Sequence, residues 1–147
     1  MKTKSESPKY VAWLNAETMH EASKKWLSEL EFAEDEQLFF NDLIKSYTLQ
    51  LIDPKHYKKN EDVISRLSRL KKKTDELIKS IKKHERGLEI MVDGIDQIEL
   101  EKAYKDEHGK LIVTIGSFLN RYRELKRELF TAFKSVLKAK KQKRLLQ

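Results

Sequence analysis

The stretch Asn60–Asp106, NEDVISRLSRLKKKTDELIKSIKKHERGLEIMVDGIDQIELEKAYKD, decides the fold. Its seam positions are Val63, Leu67, Leu70, Thr74, Leu77, Ile81, His84, Leu88, Met91, Ile95 and Ile98, and the steps between them alternate four and three without a slip. That is the rhythm of a helix packed along one face, since two turns take close to seven residues. Gly87 and Gly94 each weaken a helix by ~1 kcal/mol relative to alanine, yet the phase runs through both. The spacing predicts a long second helix over about 60–108, either continuous or bent or broken near Gly87 or Gly94.

The flanking segments repeat the pattern. Before it, Trp26, Leu30, Ala33, Gln37, Phe40, Ile44, Tyr47 and Leu51 form a second seam. This first helix is expected over about 17–52. Thr18 and Glu21 match a capping box at its start, and Pro54 disfavours helical geometry at Asp53. After the long stretch come Leu111, Ile115, Phe118, Tyr122, Leu125, Leu129, Ala132, Val136 and Ala139. They define a third helix over about 111–144, with Gly109 as the left-handed cap of the second. Residues 104–115 also fit a short β-hairpin, because Leu-Ile-Val-Thr-Ile follows a glycine. Asn60 reads as the N-cap of the second helix.

Three seams joined by short connections predict an all-α, elongated antiparallel up-down-up bundle. Residues 1–16 form a polar lead ending in Tyr10-Val11-Ala12-Trp13-Leu14, read as an arm that docks on the bundle, with residues 17–147 as a single domain. Gln37 and Thr74 interrupt otherwise apolar seams. Their meeting across the bundle would fix its register, as a buried Asn does in coiled coils.

The composition narrows the functional classes. The chain has 147 residues with 39% hydrophobic and 37% charged side chains, four Gly and two Pro. That suits long amphipathic helices and argues against disorder. There is no Cys, hence no disulfide framework, thiolate metal site or Cys nucleophile. No apolar run reaches the ~20 residues of a membrane span, and no signal-peptide core is evident. A cytoplasmic setting is expected.

No glycine-rich phosphate loop, Gly-x-Ser-x-Gly elbow or His-Glu-x-x-His motif occurs, so no catalytic residue is assigned and no enzyme is expected. Glu17-Thr-Met-His20 places a carboxylate and an imidazole on one helical face, as di-iron bundles require. Such bundles need a second pair, which the other histidines, His56, His84 and His108, do not supply. His20 is therefore read as a surface residue, with no metal and no cofactor expected. His84 is read as a buried, hydrogen-bonded seam residue.

Two features point to partners. Phe32, Phe39 and Leu43 lie roughly 100–140° from the seam of the first helix. They are read as a protein interface, for a homodimer or another helix, against the alternative of a wider internal core. Charge is the second feature. The chain carries a net +7, and it is blocked: −5 over 17–52, +6 over 63–86, −5 over 87–108 and +9 over 109–147. The antiparallel arrangement would gather Arg66, Arg69, Lys71, Lys72, Lys73, Lys134, Lys138, Lys140, Lys141, Lys143 and Arg144 toward one end, fit for an acidic partner. The reading is a non-enzymatic interaction or scaffold protein acting through protein–protein contacts. The alternative is a nucleic-acid-binding accessory protein using the basic end, although no stacking aromatics interleave with those charges.

Overall fold

The computed structural model describes residues 15–51, 55, 57–93 and 98–145, apart from the side chains of 91–93, 98–100, 140 and 143. The chain is all-α. Among the described residues it forms α1 (Ala16–Ser46), α2 (Thr48–Leu51), α3 (Tyr57–Asp93) and α4 (Ile98–Leu145), packed against one another as a helical bundle. Of the N-terminal arm expected to dock, residues 1–14 lie outside the described residues, and Asn15 and Ala16 belong to the start of α1.

Local chemistry sets the ends. Asn15 caps α1: its Oδ1 accepts the Thr18 N–H at 2.8 Å and its carbonyl accepts the Met19 N–H at 3.0 Å. The cap thus falls three residues before Thr18, because a short amide there already satisfies the first free N–H groups. Near the other end, the Thr48 hydroxyl donates to the carbonyls of Ile44 at 2.8 Å and Lys45 at 3.1 Å. Such back-bonding distorts helices, and α1 gives way to α2 at Tyr47. Asn60 is not a cap. It lies inside α3, and its Nδ2 donates to the Leu51 carbonyl at 2.9 Å, tying the first turn of α3 to the end of α2.

The largest departure from the sequence reading is at Gly109. Both the turn and the hairpin expected over 104–115 are absent: α4 runs straight through, and no described glycine has a positive φ. His108 and Gly109 are buried, and the packing of Tyr104 and Ile112 against Met19 and Leu88 outweighs the ~1 kcal/mol a mid-helix glycine costs. Of the two places where a break was expected, Gly87 lies inside α3, and Gly94 falls among residues 94–97, outside the described residues.

The chain divides into two compact units. Unit 1 takes Met1–Phe32 and Thr74–Leu119; unit 2 takes Ala33–Lys73 and Asn120–Gln147. In unit 1, Met19 and Leu88 are wholly buried, with Tyr104 and Ile112 against them. Leu30, Leu77, Ile81, Ile115 and Phe118 are buried there too. In unit 2 the core is Phe40, Leu51, Val63, Leu67, Leu125, Leu129, Phe133 and Val136. Leu43, Ile44, Tyr47, Ile64, Leu70 and Ala132 pack around it. Burying each such side chain contributes about 1.5–3 kcal/mol. Gln37 and Thr74 are both fully buried, each in its own unit.

Contacts inside each unit give the direction of one pair of helices. In unit 2, Tyr122 donates to the Ala33 carbonyl, Lys126 reaches Glu36, and the Phe130 ring meets Phe40. Those pairs keep a constant offset, so α1 and α4 run parallel. In unit 1, Gly87 faces Tyr104 and His84 faces His108. There the lower number rises as the higher falls, so α3 runs antiparallel to α4. Up-down-up topology thus holds.

Candidate functional site

Unit 2 leaves large apolar groups in water. Phe39 is 56% exposed and Phe130 57%, and Leu38 and Leu137 are exposed as well. Phe40 lies between the first two, its ring 6.0 Å from Phe39 and 5.4 Å from Phe130 in an edge-on contact. An inward ring thus touches two outward rings, one from α1 and one from α4. Phe130 and Leu137 are seven residues apart, two helical turns, and so share one face of α4. Phe32, in unit 1, is 65% exposed. Leu43 differs from its two companions in the expected stripe: it is half-buried and packs on the unit 2 core. Phe130 escaped the sequence reading because it sits one place after a seam residue, where a chance apolar group looks the same.

The charge is sorted between the units. Unit 1 has 12 basic and 15 acidic residues, net −3, and unit 2 has 19 and 9, net +10. Arg66 anchors the register of α3 on α4. Its guanidinium grips both Glu128 oxygens, at 2.7 and 2.6 Å, and also meets Asp62 at 3.0 Å. The hydrogen bond to Arg66 holds the Glu128 carboxyl below its ordinary range, and the same bond raises the pKa of Arg66. Arg66 is thus committed inside the chain. With Arg66 level with Glu128, Lys73 is level with residue 121 and Lys134 with residue 60. Arg69, Lys71, Lys72 and Lys73 therefore lie level with residues 121–125, where unit 2's part of α4 begins. Lys134, Lys138, Lys141 and Arg144, all exposed, follow toward the end of α4. From the level of residue 121 to Arg144 these positions span roughly 35 Å along the axis of α4 at 1.5 Å per residue. The side chains of Lys140 and Lys143 lie outside the described residues.

In unit 1 a polar chain runs through the core. His84 and His108 are each 1% exposed. His84 Nδ1 lies 2.5 Å from Glu107 Oε1, and its Nε2 lies 3.1 Å from His108 Nδ1. Glu107 can only accept, so His84 Nδ1 donates to it. In the neutral pair, His84 Nε2 then accepts the Nδ1–H of His108. Trp26 stacks on His108 with centroids 4.6 Å apart. Burial, with help from neighbouring His84, lowers the pKa of His108 to about 4. His84 is buried as expected, and its partners are now identified. Tyr104 and His108 were missed, although the alternation of four and three, carried backward from Leu111, lands on both. The same step backward from Trp26 lands on Ser23 and Met19, both fully buried.

His20 is half-buried rather than on the surface. It faces Glu85 and Glu89, not a second Glu-x-x-His pair: one donor atom from each of the three lies within 4.8 Å of the others. No sequence signal marked the two glutamates, which lie off the α3 seam and join His20 only through packing.

No helix among the described residues is long and apolar enough to cross a membrane. No protein-family model, curated protein or solved structure matches the chain.

Proposed function

We propose that this protein acts by contact with other macromolecules, as a non-enzymatic interaction or scaffold protein, and that the apolar face of unit 2 makes the contact. The observation that carries this reading is the pair Phe39 and Phe130, each more than half exposed and each in ring contact with Phe40. Exposed aromatics grouped in this way are what protein interfaces desolvate. The simplest partner is a second copy of the chain. The lack of cysteine fits a reducing, cytoplasmic setting.

Sedimentation tests it. The native chain should run as a dimer at micromolar concentration, and Phe39→Asp and Phe130→Asp should each run as monomers with helical circular dichroism intact. A native chain that stays monomeric to roughly 100 μM, a weak-binding range of about −5.5 kcal/mol, removes the homodimer.

A second reading rests on the +10 of unit 2: the basic residues along α4 bind nucleic acid. Affinity for duplex DNA should then fall steeply with salt. It should disappear when Lys134, Lys138, Lys141 and Arg144 become Glu. Binding that ignores salt and those changes would dismiss it.

A further inference from the structure

We propose that His20, Glu85 and Glu89 form a binding site for one divalent first-row cation, of the class that zinc represents. The three donors come from two helices of unit 1: His20 from the second turn of α1, and Glu85 and Glu89 from one face of α3. Four residues separate the two glutamates, so their side chains rise one above the other on that face.

Three observations converge. One is distance: a ring nitrogen and two carboxylate oxygens lie within 4.8 Å of one another. Zinc bonds nitrogen and oxygen at about 2.0–2.2 Å, which puts two ligands of a tetrahedral ion about 3.4 Å apart. Side-chain rotation of about an ångström closes the difference. The second is an unmet need on His20. Its Nδ1 is shut off from solvent and has no hydrogen-bond partner among the described residues. An imidazole nitrogen buried without a partner is penalised in either tautomer. A cation bound at Nδ1 would give that nitrogen the partner that packing withholds. The third is charge. Glu85 and Glu89 are like charges one turn apart, a destabilising pair, and no cationic side chain is paired with either among the described residues. One divalent ion relieves the repulsion and holds α1 to α3.

Donor chemistry fixes the class of ion. One imidazole with two carboxylates suits zinc and its first-row neighbours, whereas an all-oxygen set would suit magnesium or calcium. Three protein ligands leave a coordination position for water. Glu89 is exposed while His20 and Glu85 are half-buried, so the ion has a way in from solvent.

The site is independent of the apolar face of unit 2, and its test is separate. The full-length chain, stripped with chelator and exchanged into metal-free buffer, is titrated with zinc chloride by calorimetry and with cobalt chloride by visible absorbance. One ion per chain is expected, with the intense visible bands of low-coordinate cobalt and a higher thermal midpoint in zinc. Glu85→Gln and Glu89→Gln should each weaken zinc binding by at least about 10-fold, since lost second-shell partners alone have that effect. The pair together should abolish it. Both glutamates carry exposed surface, so circular dichroism should show the helices unchanged. His56→Gln should leave binding as it was, and His20→Gln should remove it. Failure to take up metal, or uptake that survives His20→Gln or the double glutamine variant, overturns the proposal.

Discussion

Gly87 and Gly116 are the same residue in helices, yet the structure gives them opposite roles. A Cβ at Gly87 would land on the ring and hydroxyl of Tyr104. At Gly116 it would meet nothing within 4 Å. Gly116→Ala should therefore stabilise the chain by up to ~1 kcal/mol, the usual helix-propensity gain. Gly87→Ala should destabilise it by about 1–3 kcal/mol through overpacking, despite the same gain. Urea unfolding of the two variants checks both signs. His108 gives a pH prediction. Its folded pKa, about 4, lies below the ordinary value of 6.5, so between those values the unfolded chain binds a proton that the folded chain refuses. Stability is then fully present above pH ~6.5, falls as pH drops toward ~4 and levels off below. The thermal midpoint should drop by at least about 3 °C between pH 7 and pH 4.5, and the drop should shrink in His108→Gln.

At the scale of the elements, the seams were legible and the ends were not. Val63, Leu67, Leu77, Ile81 and Leu88 on α3, and Ile115, Phe118, Leu125 and Leu129 on α4, are buried as their spacing requires. Periodicity reports a face, and a face is a property of many residues at once. A helix end depends on a few atoms, and here the competing caps were Asn15 against Thr18 and a buried Gly109 against a turn. Asn60 shows the same limit. Its side chain reads locally as a cap, but it serves the carbonyl that closes α2. Replacing it with leucine orphans that buried carbonyl and should lower stability by about 1–3 kcal/mol, read as a lower urea midpoint with unchanged slope.

At the scale of the whole molecule, the candidate surfaces divide along the same line. Phe32 and Phe39 were found from sequence because a second apolar stripe on one helix is itself a pattern. Phe130 was not, since its meaning comes from meeting the Phe40 ring that Phe39 also meets. The basic residues were legible as a count, but their arrangement depended on the register set by Arg66 and Glu128. The sequence by itself determined that the chain is all-α, which faces of its helices are apolar, and that its charge is blocked. Those follow from covalent order and a fixed helical period. Only the tertiary structure decided that α4 runs through Gly109, that His84 meets Glu107 and His108, and that His20 faces Glu85 and Glu89. Each of these joins residues far apart in the chain through packing between helices, and no local period encodes which side chains will face one another.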